Sequence, residues 1–401
     1  MFETRVYDLS RFLFVVILMV FLLAFAGVAS AQNVSTNPEG LTFHGFIDAT
    51  AFLQNQSFTF GNGQNAEWPV PPQLKTDRWF LDGDVRNTRM TLAFNGPKLD
   101  NGFKLNATLE GDFFGGFNGT SAFSNAQEIP RLRLAFVDLV HGKTTVRIGQ
   151  AWSPLFGTTA LSYSHIAFPI GYGGAGDVGW RFPGIFLYQE LSPSTKVTLA
   201  VFRNVWNAPG DPTTSTSAGP ASTLPQIEGR FDWTGKKGSN TWNTYAVGHL
   251  DKKDLSGIGV KSSNDSLTGW AGEFGGKLTA GAAMLQGNLY AGKAIGQQFG
   301  ALNQFGDIKE WGAWVQGGYN VNKQWAVYLF AGMDKPKKSD VIAAKLTRVK
   351  NITIVPSLMY NRGPYGFNVE WFRDKLTTAA ASGAETDTKG DQFAGSVIFK
   401  F

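Results

Sequence analysis

The chain has 401 residues, no cysteine, and a formal charge of +5 from 36 Lys/Arg and 31 Asp/Glu, with no Lys/Arg-rich run. The missing thiol excludes disulfides, thiolate metal sites and cysteine catalysis, and the dispersed charge gives no nucleic-acid footprint. Forty-eight glycines, 14% aromatics and only 17% charged residues describe many short strands joined by tight turns, in place of a helical core.

Residues 1–31 have the layout of a secretory signal. Arg5 and Arg11 form the basic start, Phe12 to Ala26 the apolar stretch, and Ala29-Ser30-Ala31 the cleavage site. The expected organisation is a signal peptide, 1–31, and one domain, 32–401, with no linker or composition shift to divide it. No later run is long and apolar enough for a transmembrane helix.

Sixteen segments have strand character: 41–54, 81–96, 102–114, 130–141, 143–151, 180–192, 195–206, 225–235, 240–250, 267–279, 282–293, 309–320, 324–334, 347–361, 365–376 and 389–401. Long gaps follow the odd-numbered segments and short turns, such as 97–101 and 361–365, the even ones. In the third segment Phe103, Leu105, Ala107, Leu109 and Phe113 alternate with Lys104, Asn106, Thr108, Glu110 and Asp112, which suits a strand between lipid and water. Near the end, Phe367, Val369 and Trp371 alternate with Asn368 and Glu370. The last segment sets Phe393, Gly395, Val397, Phe399 and Phe401 against Gln392, Ala394, Ser396 and Lys400, and only Ile398 breaks its pattern. Strand edges left open in hydrocarbon would strand unpaired N–H and C=O groups, so such strands must close on themselves. The expected fold is all-β: a transmembrane antiparallel β-barrel of sixteen strands with short periplasmic turns and long outer loops, in the outer membrane of a Gram-negative-type bacterium. A soluble sandwich gives identical alternation and is disfavoured by the signal segment, the terminal Phe and the loop asymmetry.

A barrel of that size leaves an aqueous lumen, where function should be sought. Parity places Arg89, Lys104, Arg131, Arg133 and Arg147 on the inner wall, because an Arg facing lipid at mid-strand costs roughly 2–4 kcal/mol. Such a patch attracts anions. It could equally be a ladder of cross-strand ion pairs to Glu110 and Asp112 that fixes register. Glu228, Arg230 and Asp232 form a similar mixed patch of more structural character. The longest gap, 151–179, is rich in apolar residues unsuited to a solvated tip, so this third loop should fold inward. Trp152, Tyr163, His165, Asp177 and Arg181 are its candidates to line a constriction, and packing between protomers is the alternative use.

Other motifs carry little. Gly171-Tyr-Gly173-Gly-Ala-Gly176 spells G-x-G-x-x-G but lacks the following helix that a nucleotide site needs, and reads as flexible loop glycine. Asn-x-Ser/Thr sequons, at Asn118 and Asn264 for example, reflect polar composition. His44, His141, His165 and His249 lie on separate segments without metal or catalytic spacing, so no enzyme, cofactor or metal is expected.

The blocks Leu109-Glu-Gly-Asp-Phe-Phe-Gly115, Pro130-Arg-Leu-Arg-Leu-Ala-Phe136 and Arg147-Ile-Gly-Gln-Ala-Trp-Ser153 resemble those of the DcaP-like trimeric outer-membrane porins, as do Asn87-Thr-Arg-Met90 and Leu224-Pro-Gln-Ile-Glu-Gly-Arg230. The resemblance implies a sixteen-stranded homotrimer with a loop folded into each pore and passive diffusion of small hydrophilic solutes, often dicarboxylates or other anions. It carries a pore-lining role onto Arg131 and Arg133. Members often have a coiled coil after the signal, for which Gln32 to Gly40 is too short. The expected function is a diffusion channel with mild anion preference. The alternatives are a substrate-specific channel for phosphate or a dicarboxylate, and a plugged barrel with an adhesion or receptor role.

Overall fold

The computed structural model describes residues 40–58, 67–70, 79–115, 128–205, 218–255, 266–303 and 306–401; the signal segment, Asn118 and Asn264 lie outside these. Seventeen strand segments run β1 (Leu41–Gln54), β2 (Phe80–Asp84), β3 (Arg89–Lys98), β4 (Lys104–Asp112), β5 (Arg131–His141), β6 (Thr144–Trp152), β7 (Arg181–Ser192), β8 (Thr195–Phe202) and β9 (Gln226–Lys237). They continue with β10 (Asn240–Asp254), β11 (Ser266–Ala280), β12 (Ala283–Lys293), β13 (Lys309–Asn320), β14 (Trp325–Pro336), β15 (Arg348–Arg362), β16 (Tyr365–Ala379) and β17 (Glu385–Lys400). Short β2 and β3 both pair with β1 and form one interrupted stave, so the barrel has the sixteen antiparallel staves expected. Each stave pairs with its neighbours in sequence, and β17 closes on β1 from Phe46↔Lys400 to Gln54↔Gln392.

Alternation decides which face meets lipid. In β16 and β17 the exposed Phe367, Val369, Trp371, Phe393 and Val397 point out, while Asn368, Glu370, Gln392 and Ser396 are buried inside. Rings gather near the short turns, as in Phe43–Phe401, Trp325–Tyr360 and Tyr365–Phe399, and again toward the long loops at Trp79–Phe393 and Trp371–Phe393. An outward apolar band between aromatic girdles is the mark of a bilayer-spanning barrel of an outer membrane. Four short turns have glycine at their first position, Gly142, Gly238, Gly281 and Gly363, with φ of 58°, 62°, 58° and 57°. A Cβ at any of them would meet nothing within 4 Å, so torsion alone requires the glycine, as in II′ hairpin turns.

Three departures from simple alternation matter. The stave of β2 and β3 breaks at 85–88, where Asn87 turns fully into the interior. Across β4 and β5, Glu110 faces Leu134 and Gly111 faces Leu132, which leaves Arg133 as the extra residue of a bulge. Strict alternation from Arg133 would aim Asp138 at lipid; the bulge turns it inward. Finally, β10 and β17 are longer than the sequence suggests, reaching Asp254 and starting at Glu385, and the last outer loop is correspondingly short.

Candidate functional site

The segment between β6 and β7 folds into the barrel and is tied to its inner wall. The backbone N–H groups of Leu155, Thr158, Leu161 and Tyr163 donate to Glu228, the Tyr245 hydroxyl, Gln316 and Asn368 at 2.8, 3.3, 2.8 and 2.8 Å. Gln286 and Asn351 donate to the carbonyls of Thr159 and Gly174, and Asn87 both donates to Ser164 O (3.0 Å) and accepts from Ala167 N–H (3.0 Å). These partners stand on staves around most of the circumference, which is how the backbone of a buried loop is satisfied. Its apolar side chains pack the same way: Ala160, Ile170 and Ala175 lie against Trp314, Phe330, Val355 and Phe372.

The glycine run of this loop is not slack. Gly171, Gly173 and Gly176 hold φ of 91°, 77° and 93°, and a Cβ on Gly176 would stand 2.4 Å from the Ala313 backbone. These positions are glycine because the chain turns left-handed while tightly packed, Gly176 against β13, Gly171 against Phe330 and Gly173 against Glu67. The motif is a packing device, which corrects the expectation of flexible glycine.

Opposite the loop, β3 to β7 bring guanidinium groups together. Arg131 grips Asp112 with two hydrogen bonds of 2.9 and 2.6 Å, and Arg133 bridges Glu110 (2.8 Å) and Asp112 (2.7 Å). Arg89 reaches Glu110 only at 3.9 Å and the Ile166 carbonyl at 3.5 Å. Arg181 makes no ion pair among the described residues; its guanidinium lies 4.8 Å from the Trp152 ring and 4.4 Å from the Trp180 ring. The cluster therefore sets four guanidinium groups against the two carboxylates of Glu110 and Asp112. Nearby Arg86 is neutralised by Asp84. An ion-pair ladder therefore exists here, and its guanidinium groups outnumber its carboxylates.

A cavity of about 420 Å³ lies between this wall and the loop. Arg89, Glu110 and Arg133 line it with Trp152, Tyr163 and His165, so six of the expected site residues share one space. Trp152 stacks on Phe156 at 3.8 Å. The Tyr163 ring faces the Lys400 ammonium, which also donates to its hydroxyl (3.1 Å). His165 is buried, its Nδ1 3.0 Å from Glu370 and its ring stacked on Phe372.

Several expected residues lie elsewhere. Arg131, Asp112 and Arg181 do not line the cavity; Arg131 lies over Phe114, Phe168 and Trp180. Arg147 is lumenal but bound by two hydrogen bonds of 2.8 and 2.9 Å to Asp138, the partner created by the bulge. Lys104, at the start of β4, is six residues from Glu110 and thus about 20 Å along the strand. Asp177 is buried, with Glu273 and Asp334 acting on it, and does not line the cavity. The patch of Glu228, Arg230 and Asp232 anchors the loop: Arg230 pairs with Asp232 and donates to Pro154 O (2.9 Å). His249, unremarkable in sequence, sits between Glu228 (3.0 Å) and Asp251 (2.9 Å).

Sequence reasoning missed Phe46, Phe156, Ile398 and Lys400 as cavity residues. Ile398 had left a trace, because it alone interrupted the alternation of the last strand. Among the described residues no group of three or more His, Asp or Glu has an arrangement suited to a metal ion.

No protein-family model matches the chain, and no curated protein does. Solved structures share its fold at low identity. The outer-membrane channel DcaP of Acinetobacter baumannii superposes with a TM-score of 0.69 at 16% identity, covering 90% of this chain and 97% of that one. An anion-selective porin from Comamonas acidovorans gives 0.58 at 16% identity, with 90% and 99% covered. OmpF of Salmonella typhi, solved with daunomycin, gives 0.57 at 12%, with 91% and 99% covered.

Proposed function

We propose that this barrel is a diffusion channel of the outer membrane that passes small hydrophilic solutes and prefers anions. The observation that carries the reading is the excess of four guanidinium groups over two carboxylates where the loop narrows the lumen. Water-excluding walls focus such a field and raise the local concentration of anions. Arg89, Arg133 and Lys400 would meet the solute in the cavity, with Arg131 and Arg181 supplying charge from outside it. Contacts of that kind are weak enough to release the solute, which conduction needs as much as capture. The name of the Comamonas neighbour, an anion-selective porin, fits this reading. A trimer fits the outward Gly317 and Gly395, where a Cβ would meet nothing and a neighbouring protomer could approach closely.

A second reading, a plugged barrel, draws on the loop's ties around the wall. One experiment decides between them: single-channel current and reversal potential of the purified mature protein in planar bilayers under a KCl gradient, with Arg89→Ala/Arg133→Ala alongside. Stepwise conductance with chloride preference that falls in the variant supports the channel. Absence of conductance would overturn it in favour of the plug.

A further inference from the structure

On the outer wall of the barrel, at the end bearing the long loops, lysines face one another across strands. Lys293 on β12 pairs in register with Lys309 on β13. Lys335 stands one residue beyond the Asp334↔Asn351 pair, which sets it across from Lys350, and Lys375 pairs with Lys389. Like charges directly opposite destabilise a sheet unless something lies between them. Acidic neighbours answer part of this charge: Asp307 pairs with Lys293, Asp340 with Lys337, Glu385 with Lys338 and Asp387 with Lys375. Among the described residues the side chains of Lys309 and Lys335 have no hydrogen-bond or ion-pair partner, and Lys350 has neither but is attracted at longer range by Glu385 and Asp387.

These three line one groove of about 600 Å³ with Trp270 and Trp311. The carboxylates it contains are Glu310, which is buried, and Glu385 at its edge, held by Lys338. The groove's height is fixed by register. Trp270 faces Lys293, and Trp311 faces both Ala291 and Lys335, so the lysines begin at the outer aromatic girdle. Below them the exposed Leu289, Val315 and Leu329 continue the lipid-facing band. Ammonium groups at headgroup depth above an apolar wall fit a molecule with phosphates at one end and acyl chains at the other.

We propose that this groove binds a phosphorylated glycolipid of the outer leaflet, its phosphates between Lys309, Lys335 and Lys350 and its acyl chains along β12 to β14. The site is on the outer wall and does not depend on the solute pathway. The test uses the whole purified barrel in detergent, with native mass spectrometry to count retained lipid A carrying both phosphates, and with the fully dephosphorylated lipid in parallel. The wild type should retain the phosphorylated form preferentially. Lys309→Gln/Lys335→Gln/Lys350→Gln should weaken that retention on the order of a hundredfold, about fivefold for each surface lysine removed. Lys236→Gln/Lys237→Gln, at the opposite rim, should leave it unchanged, and heat-modifiable gel mobility reports that each variant is folded. Equal retention by the triple variant, or of the dephosphorylated lipid, would overturn the proposal. So would a triple variant that keeps the lipid but loses its oligomer, which would assign the face to a second copy of the chain.

Discussion

Asp112 is the residue on which the guanidinium cluster turns. Its side chain is fully buried and accepts hydrogen bonds from both Arg131 and Arg133. Removing one partner of a buried ion pair typically costs about 3–5 kcal/mol, because the other charge is left uncompensated. Asp112→Asn should therefore lower the thermal unfolding midpoint in detergent more than Glu110→Gln, whose carboxylate keeps some contact with water. Equal shifts for the two variants would show that the pairing at Asp112 has no special weight. If the Asp112 variant folds, its chloride preference should rise, since a negative charge has gone from a positive site.

At the scale of elements, the inward loop is held by backbone hydrogen bonds and by glycine geometry. Gly176→Ala puts a methyl group into the Ala313 backbone at a left-handed φ, so the loop must lift from β13. Single-channel conductance should then exceed that of the wild type, and an unchanged value would mean that the loop does not limit the pathway. The short outer helix Lys338–Ala343 offers a pH test. Slight burial pushes the Asp340 carboxyl up, but the Lys337 ammonium and the Lys309 N–H outweigh it and hold the group below its usual range. A depressed carboxyl stabilises the fold fully above the unfolded-state value, near 3.9, and loses that contribution as pH falls through the folded-state value. Hydrogen-exchange protection of the Val341 and Ala344 amides should hold from neutral pH to about 5 and drop only in stronger acid. Asp340→Asn should lower it already at neutral pH.

The whole molecule depends on closure, which gives every strand edge a partner. The seam between β1 and β17 ends in reciprocal hydrogen bonds, Gly45 N–H to Phe401 O at 3.0 Å and Phe401 N–H to Gly45 O at 3.1 Å, with the Phe401 ring 5.4 Å from Phe43. Deleting Phe401 removes both bonds and a girdle ring at the point where the barrel must zip. The heat-modifiable folded fraction should fall severalfold on refolding into detergent, while Phe401→Tyr, which keeps ring and backbone, should refold as the wild type does.

The sequence by itself determined the strand count, the alternation of long loops and short turns up to the last outer loop, and the lipid face of the cleanly alternating strands such as β4, β16 and β17. A two-residue period against water and hydrocarbon is a local property that any single strand displays. It also marked the arginines as lumenal, since charge facing lipid is costly wherever the strand lies. Only the tertiary structure decided which of them share a space: Arg89 and Arg133 line the cavity, Arg131 and Arg181 do not, and Arg147 is bound to Asp138. That division follows from the bulge at Arg133, the break at Asn87 and the path of the loop. Each is set by contacts between residues far apart in the chain, whose register no local pattern encodes.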